Sequence, residues 1–242
     1  MAKRIKISDL IIFENDDLFA INKPPFLPSL HERHNAELAC VIDLVKELNP
    51  DYQLCHRLDR ETSGVMLIAK NAEAYRYMAI QFEKRLVNKI YHAITPASVN
   101  IEKIIVNLPL YTDSKRRVLI SRKEGKPSVT EISTLKQYKH FTVLKCMPIT
   151  GRLHQIRVHC ASQNLALVAD ELYNGKTAYL SQIKRNAKID KDNVESPLIN
   201  RFALHAHSIE FTDSNQKTHT IVAPYAKDFE VFVKLLDKYD AP

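Results

Sequence analysis

The chain has 242 residues and a mass of 27.8 kDa, which suits one large domain or two small ones. Only 4 glycines are present, where average usage would give roughly 17. Neither a G-x-G-x-x-G nor a G-x-x-x-x-G-K-[ST] loop occurs, which disfavours dinucleotide-dependent oxidoreductases and P-loop NTPases. A formal charge of +7, from 35 Lys and Arg against 28 Asp and Glu, favours a polyanionic partner such as nucleic acid.

The N-terminal segment and the cysteines indicate a cytoplasmic protein. MAKRIKISDL is basic but lacks the apolar core of a signal peptide, and no stretch approaches the ~18 apolar residues of a membrane span. Because the four cysteines (Cys40, Cys55, Cys146 and Cys160) form no C-x-x-C pair, neither a zinc site nor a redox pair is indicated. We expect free, mostly buried thiols, no bound metal, no membrane association and a monomer.

Apolar runs of strand length recur along the whole chain. The run VMLIA (65–69) is continuous, as expected for a strand covered on both faces. The other predicted strands are two runs in IIFENDDLFAINKP, then KIYHAI, TEISTLKQY, FTVLKCMPI, HSIEF and THTIVA.

Four segments have the apolar spacing of helices. The first is predicted from Asn35, a good N-cap, to Asn49-Pro50. The second follows Asn71, the third is RLHQIRVHCASQN, opening after Gly151, and the fourth covers 228–238. The second should carry one apolar stripe, made of Tyr75, Met78, Ala79, Phe82 and Leu86.

The order of these elements predicts an α+β (mixed α/β) fold rather than a regular βαβ array. The polar, lysine-rich stretch 176–196 is predicted to be an exposed loop. Since no repeat or low-complexity linker interrupts the pattern, we expect a single domain over residues 1–242.

Arg57 and Asp59 lie in the segment QLCHRLDRETSGVMLIAK (53–70). If residues 54–59 are extended, both side chains project from one face. They are either a minor surface ion pair or groups held rigidly at a cleft, because they precede a turn into the most buried strand.

Arg157 falls on the core-facing side of the third predicted helix. A guanidinium cannot lose its charge, so a buried one needs a carboxylate partner, for which Asp59 is a candidate. The alternative is an arginine whose head reaches water.

Lys89 and Tyr91 stand at i and i+2 on the strand predicted in NKIYHAIT. Tyr91 either stacks on a base or is an ordinary half-buried strand residue. A basic cluster between two strand candidates is either a solvated loop or a patch for phosphates: Lys115, Arg116, Arg117, Arg122, Lys123 and Lys126.

These segments resemble motifs of the RluA-type pseudouridine synthases. HRLDRETSG (56–64) resembles the family signature H-R-L-D-x-x-T-S-G, which contains the catalytic aspartate. The Lys89 and Tyr91 pair, TGRLHQIRVH (150–159) and LHAHSIEF (204–211) resemble later motifs in the same order. With FENDDLFAINKP and THTIVAPYAKDF, the likeness extends over about residues 10 to 233.

The resemblance implies a role for each candidate residue. Asp59 is the essential catalytic carboxylate and Arg157 forms an ion pair with it. Tyr91 packs on the target uracil, Arg57 helps to extrude or replace the flipped nucleotide, and Lys89 belongs with the substrate-binding residues.

The resemblance also implies a fold and a mode of action. The fold is a bent, largely antiparallel sheet flanked by helices around a central RNA-binding cleft, which works without metal or cofactor. Many family members carry an additional N-terminal RNA-binding domain. We expect none here, because the likeness begins almost at the start of the chain.

The implied reaction isomerises uridine to pseudouridine in structured rRNA or tRNA, and the target base must leave its stack. A non-catalytic RNA-binding protein or RNA chaperone is the alternative, but it would not need Asp59, Tyr91 and Arg157. A phosphotransferase, suggested by HRLD, would need a Gly-rich loop and a D-F-G segment, which are missing.

Two departures from the family pattern involve glycine. Members commonly have a glycine soon after the first Lys-Pro, where this chain has Lys23-Pro24-Pro25-Phe26. They commonly have Gly-Asp where this chain has Ala169-Asp170. Neither touches the expected catalytic set, and we expect both to reshape loops that select the RNA.

Overall fold

The computed structural model describes residues 5–31, 39–115, 117–185 and 195–242. Its contacts divide the chain into two compact units. The first unit contains Met1–Lys89 and Ala206–Ala226, and the second contains Ile90–His205 and Lys227–Pro242. The expectation of one domain stays a prediction.

The described residues contain strands and helices in mixed order. The helices are α1 (Val41–Leu48), α2 (Ala72–Glu83), α3 (Gln155–Ser162) and α4 (Lys227–Tyr239). The strands are β1 (Ile11–Glu14), β2 (Leu18–Lys23), β3 (Gln53–Leu54), β4 (Ser63–Ala69), β5 (Asn88–Thr95), β6 (Ile104–Asn107), β7 (Leu110–Thr112), β8 (Val118–Ile120), β9 (Val129–Gln137), β10 (Thr142–Pro148), β11 (Leu204–Thr212) and β12 (Thr218–Val222). None of the helices in these ranges has the length and apolar character needed to cross a bilayer.

Antiparallel pairing joins β1 with β2, β2 and β3 with β4, and β11 with β12 in the first unit. It also joins β5 with β10, β10 with β9, β9 with β6, and β7 with β8 in the second unit, which agrees with the predicted α+β class. In the first unit the order is β1-β2-β4-β11-β12, and β3 also pairs with β4. In the second unit the order is β5-β10-β9-β6, and β7 and β8 form a separate hairpin. All eight predicted strands are present, whereas β6, β7 and β8 were not predicted because runs of three or four residues show little periodicity.

The core of the first unit is built on β2 and β4, which pair from Leu18 with Ala69 to Lys23 with Gly64. Every residue of β4 is buried. The prediction that 65–69 forms a strand covered on both faces is therefore confirmed.

The first unit contains two of the predicted helices, α1 and α2. Within the described residues α1 begins at Val41, and the predicted start at Asn35 lies outside them. Helix α2 begins directly after Asn71, as predicted, and the Asn71 side chain caps it by accepting the N–H of Ala74.

The predicted apolar stripe of α2 is wrong in part, because the buried residues are Ala74, Met78 and Gln81. Gln81 replaces an apolar residue there because its amide donates to the carbonyl of Thr212 and accepts the N–H of the same residue. Tyr75 and Leu86 are exposed instead.

In the second unit α3 begins at Gln155 rather than directly after Gly151. The side-chain oxygen of Gln155 accepts the Arg152 N–H at 2.9 Å and the Thr150 hydroxyl at 2.7 Å. These bonds hold residues 150–154 in a loop, and the last of them, His154, has φ of 51°. The fourth helix, α4, lies where it was predicted and buries Phe229, Phe232 and Leu236.

The lysine-rich stretch 176–196 is not simply an exposed loop. Ala178 and Ile183 are buried, and Tyr179 forms a bridge with Pro197. Residues 186–194 of this stretch lie outside the described residues.

Both departures from the family's glycines fall on residues with left-handed backbone. Phe26 has φ of 66° and Ala169 has φ of 59°. This conformation costs an L-residue roughly 1–2 kcal/mol and costs glycine almost nothing. The chain therefore retains a glycine-like backbone at two positions where it has no glycine.

We expect Ala169→Gly to raise the free energy of unfolding by about 0.5–1 kcal/mol, because the relieved strain exceeds the added flexibility of the unfolded chain. Urea unfolding followed by circular dichroism measures the change. Ala79→Gly on the exposed face of α2 is the control, and it should lower stability by about 1 kcal/mol. Equal losses in both variants would show that Ala169 is unstrained.

Candidate active site

The backbone on the N-terminal side of Asp59 is held by a side chain rather than by a neighbouring strand. Residues 54–59 do not form one continuous strand, since β3 ends at Leu54. Instead, the Ser29 hydroxyl donates to the Leu58 carbonyl at 2.7 Å and accepts the Leu58 N–H at 3.0 Å. One hydroxyl thus satisfies both backbone groups of the residue before Asp59.

The backbone on the C-terminal side of Asp59 is held by a buried lysine. Lys23 has no exposed surface, and its ammonium donates to the carbonyls of Pro24 at 3.0 Å, Leu27 at 2.9 Å and Arg60 at 3.1 Å. A buried ammonium is costly unless its donors are satisfied. The three carbonyls meet that need and connect β2 to the residue after Asp59.

These contacts fix the position of Asp59. Its own carbonyl accepts the Thr62 N–H at 3.0 Å, which closes the turn into β4. Sequence reasoning did not assign Lys23 or Ser29 to the site. A lysine in the otherwise apolar strand LFAINK was the available signal for the first.

The side chains around Asp59 alternate in exposure: Arg57 is exposed, Leu58 is buried and Asp59 is half-buried. Among the described residues Arg57 has no hydrogen-bond or ion-pair partner. The interpretation of Arg57 and Asp59 as a surface ion pair is therefore wrong. Asp59 is therefore a half-buried carboxylate on a fixed backbone.

His56 is held in its neutral form. Its Nε2 accepts the Leu67 N–H at 3.0 Å, so that the proton lies on Nδ1. The ring packs 5.2 Å from the Phe82 ring, and the Lys89 ammonium lies 6.0 Å from the centre of that same ring. Burial, with a smaller effect of the Lys89 charge, lowers the pKa of His56 to about 3. Burial also lowers the pKa of Lys89.

In the second unit, Arg157 is buried and paired. It is 6% exposed, and its Nε and Nη2 donate to the two carboxylate oxygens of Asp170 at 2.7 and 2.6 Å. Its guanidinium lies 4.0 Å from the ring centre of Phe202 and 5.0 Å from that of Tyr173. Such two-pronged pairing with stacking is specific to arginine.

The predicted inward orientation of Arg157 is confirmed, and the water-reaching alternative is wrong. Sequence reasoning missed Asp170 as its partner, although Ala169-Asp170 is one of the two departures from the family pattern. The expected ion pair between Arg157 and Asp59 stays a prediction.

Tyr91 and Lys89 both lie on β5, as predicted. Tyr91 is half-buried and packs against the apolar core of the second unit. The basic cluster lies on and after the β7–β8 hairpin, where Lys115, Arg117, Arg122, Lys123 and Lys126 are exposed and Arg116 lies outside the described residues. Arg117 pairs with Asp113 at 2.8 Å.

One group in the described part of the chain has the composition of a metal site. Potential ligand atoms of His31, Cys40 and Asp43 lie within 4.8 Å of one another. Asp43 is already engaged, since it accepts the N–H and thiol of Cys40 at the start of α1 and pairs with His31 at 2.9 Å. Burial raises the pKa of the Cys40 thiol to about 11, so the thiol is protonated at neutral pH.

Solved structures share the fold of the chain. A human structure titled RNA pseudouridylate synthase domain containing 4 superposes with a TM-score of 0.74 at 24% identity, covering 96% of this chain and 94% of its own. Human RNA pseudouridylate synthase domain containing 1 gives 0.67 at 19% identity, covering 99% of both. At these identities the likeness shows the fold alone, that of the pseudouridine synthase domain.

Sequence relatives identify the family. Ribosomal large subunit pseudouridine synthase C of Vibrio vulnificus is 31% identical over 97% of this chain and 71% of its own. The dual-specificity RNA pseudouridine synthase RluA of Vibrio parahaemolyticus is 38% identical over 67% of this chain and 68% of its own. The sequence model of the family described as RNA pseudouridylate synthase matches residues 17–162. The chain belongs to this family, and it is an RNA pseudouridine synthase, an isomerase that acts on RNA.

The half-buried, neutral His56 should make stability fall with acid. Its pKa is about 3 in the folded chain, against the ordinary 6.5 of a solvated histidine, so between these pH values the unfolded state binds the additional proton. The free energy of unfolding should then drop by about 1.4 kcal/mol per pH unit below pH 6.5, beyond the loss from other groups. Urea unfolding from pH 7 to 4, compared with His56→Gln, isolates this contribution. Parallel curves for the two proteins would contradict it.

Arg157→Ala should lower the free energy of unfolding by about 3–5 kcal/mol, because Asp170, itself 1% exposed, would remain as an unpaired buried charge. The variant should also lose activity, since the resemblance implies that Arg157 pairs with the catalytic carboxylate. Chemical denaturation measures the loss. Arg117→Ala, which breaks an exposed ion pair of the same unit, is the matched control and should change stability little. An unchanged melting temperature for Arg157→Ala would refute the burial of the pair.

Proposed function

We propose that this enzyme isomerises uridine in the RNA of the large ribosomal subunit, with Asp59 as the catalytic carboxylate. The observation that carries the assignment is the fixation of Asp59 on both sides by Ser29 and Lys23, within the HRLDRETSG motif. The relatives that cover most of the chain are named for the large ribosomal subunit, which supports this substrate over tRNA.

The reaction needs a carboxylate at the ribose. The N1–C1′ bond of the target uridine breaks, the base turns, and a C5–C1′ bond forms. N1 gains a proton and C5 loses one, so the overall change is an isomerisation. An ionised Asp59 either attacks the sugar as a nucleophile or assists a glycal-type path, and both require a carboxylate held in one place.

The remaining candidate residues bind the substrate. Arg57 is exposed and unpaired among the described residues, which suits a side chain that enters the RNA where the target nucleotide leaves its stack. Tyr91 packs on the uracil, Arg157 pairs with Asp59, and Lys89 supports the bound nucleotide. Asp170 and the two flanking rings hold the Arg157 guanidinium in orientation.

RNA is bound in the expected central cleft by one catalytic domain, and the enzyme acts as a cytoplasmic monomer. The formal charge of +7 and the exposed cations after β7 and β8 support phosphate binding by this surface. Affinity should therefore depend strongly on salt.

Asp59→Asn should abolish isomerisation while folding and RNA affinity remain largely intact, because the amide keeps the shape and loses the charge. Turnover is followed by tritium release from RNA transcribed with [5-³H]uridine, since C5 gives up its hydrogen. In cells, pseudouridine mapping should show sites in large-subunit rRNA that disappear without the gene and return with the wild-type gene only.

Asp16→Asn, at an exposed carboxylate of the same unit, is the control and should retain activity. Wild-type rates for Asp59→Asn would overturn the catalytic assignment. Loss of sites in tRNA alone would overturn the proposed substrate.

A further inference from the structure

A cavity of about 700 Å³ lies in the first unit beside the segment that carries the catalytic motif. Its walls come from α1, from residues 50–57 and from the start of α2. The volume lies in the range of sites that hold small ligands or single residues of a polymer. The proposed catalytic reaction does not involve this cavity, although Arg57 forms part of its wall.

The cavity has the charge to hold an anion. Its lining contains the cations Lys46, Arg57 and Lys70 and a single carboxylate, Asp51. Lys70 is paired with Glu14 at 2.9 Å. Lys46 and Arg57 are exposed and have no partner among the described residues. Lys46 is thus available to an incoming phosphate, and Arg57 adds a second positive charge to the wall.

The cavity also has an aromatic face. Tyr75, in the first turns of α2, is 37% exposed and lines it. Leu30, Ile42 and Leu54 contribute apolar surface. An exposed aromatic ring beside unpaired cations is the combination by which proteins bind unstacked nucleotides, with the base on the ring and the phosphate at the cation.

We propose that this cavity binds an unstacked nucleotide of the substrate RNA near the target uridine, with its base on Tyr75 and its phosphate at Lys46. The proposal rests on the proposed function, because the RNA must also reach Asp59. Arg57 connects the two places: it lines the cavity and is two residues from Asp59, so their Cα atoms are at most about 7 Å apart. This continuity favours a nucleotide of the RNA chain over a free one.

Lys46 also suits a purely structural role at the end of a helix, and the test must distinguish that role from phosphate binding. Lys46 lies in the last turn of α1, where a cation interacts favourably with the helix dipole. Lys84 stands at the corresponding end of α2, is exposed, and does not line the cavity. Lys84→Ala therefore reproduces the loss of a helix-end charge without touching the cavity.

The test compares Tyr75→Ala, Tyr75→Phe and Lys46→Ala with the controls Lys84→Ala and Ile80→Ala. Ile80 is an exposed residue of α2 outside the cavity. Fluorescence anisotropy measures the binding of a fluorescein-labelled, single-stranded uridine-rich decamer, and tritium release from large-subunit rRNA transcripts gives kcat and KM. Circular dichroism verifies that each variant is folded.

We expect Tyr75→Ala to weaken binding about 5- to 150-fold, as for the loss of one base stack, and Tyr75→Phe to restore it. Lys46→Ala should reduce the slope of log affinity against log salt by about 0.7, as for one lost phosphate contact on a single strand. In turnover, the loss should fall on KM rather than on kcat. The controls should match the wild type.

Each alternative outcome decides the question. Active enzyme with unchanged KM and affinity in Tyr75→Ala and Lys46→Ala overturns the subsite and leaves the proposed function standing. If no RNA is turned over, the proposed function is overturned, and the binding of the decamer then tests the cavity alone. Tight binding of uridine monophosphate that Tyr75→Ala removes, with unchanged RNA binding, shows a free-nucleotide site and overturns the proposal. No binding of either RNA overturns both.

Discussion

The site depends on a buried charge that the chain satisfies with its own backbone. Lys23 has no exposed surface, and its ammonium is surrounded by three carbonyls, one of which belongs to Arg60. Burial of an ammonium is strongly unfavourable unless hydrogen bonds to the protein replace those to water. A shift of residue 60 would break one of these bonds and lower the stability of the fold. The requirement for a satisfied charge thereby becomes a constraint on the residue beside Asp59.

The second unit applies the same principle to Arg157. Its guanidinium is held along one edge by Asp170 and lies against the rings of Phe202 and Tyr173, so its direction is determined before any substrate arrives. A buried ion pair contributes little net stability, but it has few alternative geometries. Orientation, rather than stability, is the advantage that this arrangement gives a catalytic domain.

The sequence predicted the elements with strong periodicity and the residues within the motif, but not the contacts that hold them. β4 and the inward Arg157 followed from pattern alone. The contact of Ser29 with Leu58 joins two residues that are 29 positions apart in sequence, and the contact of Lys23 with Arg60 joins two that are 37 positions apart. Periodicity carries no information on such distant pairs. The late start of α3 has a similar cause, since the Gln155 side chain replaces the expected first helical turn.

The few glycines of the chain distinguish two reasons for which a backbone position requires glycine: a left-handed φ and a lack of space for a Cβ. At Phe26 and Ala169 only the left-handed φ is required, and a side chain is tolerated at a moderate cost in strain. At Gly64 the φ is 115°, and a Cβ would run into the carbonyl of Ala206, while at Gly175 a Cβ would meet the carbonyl of Leu167. Strain of about one or two kcal/mol can be offset elsewhere, whereas overlap with backbone forces the surrounding backbone to move. Glycine is therefore indispensable at Gly64, within β4, and at Gly175, and it is replaceable in the two loops where only the turn of the chain requires it.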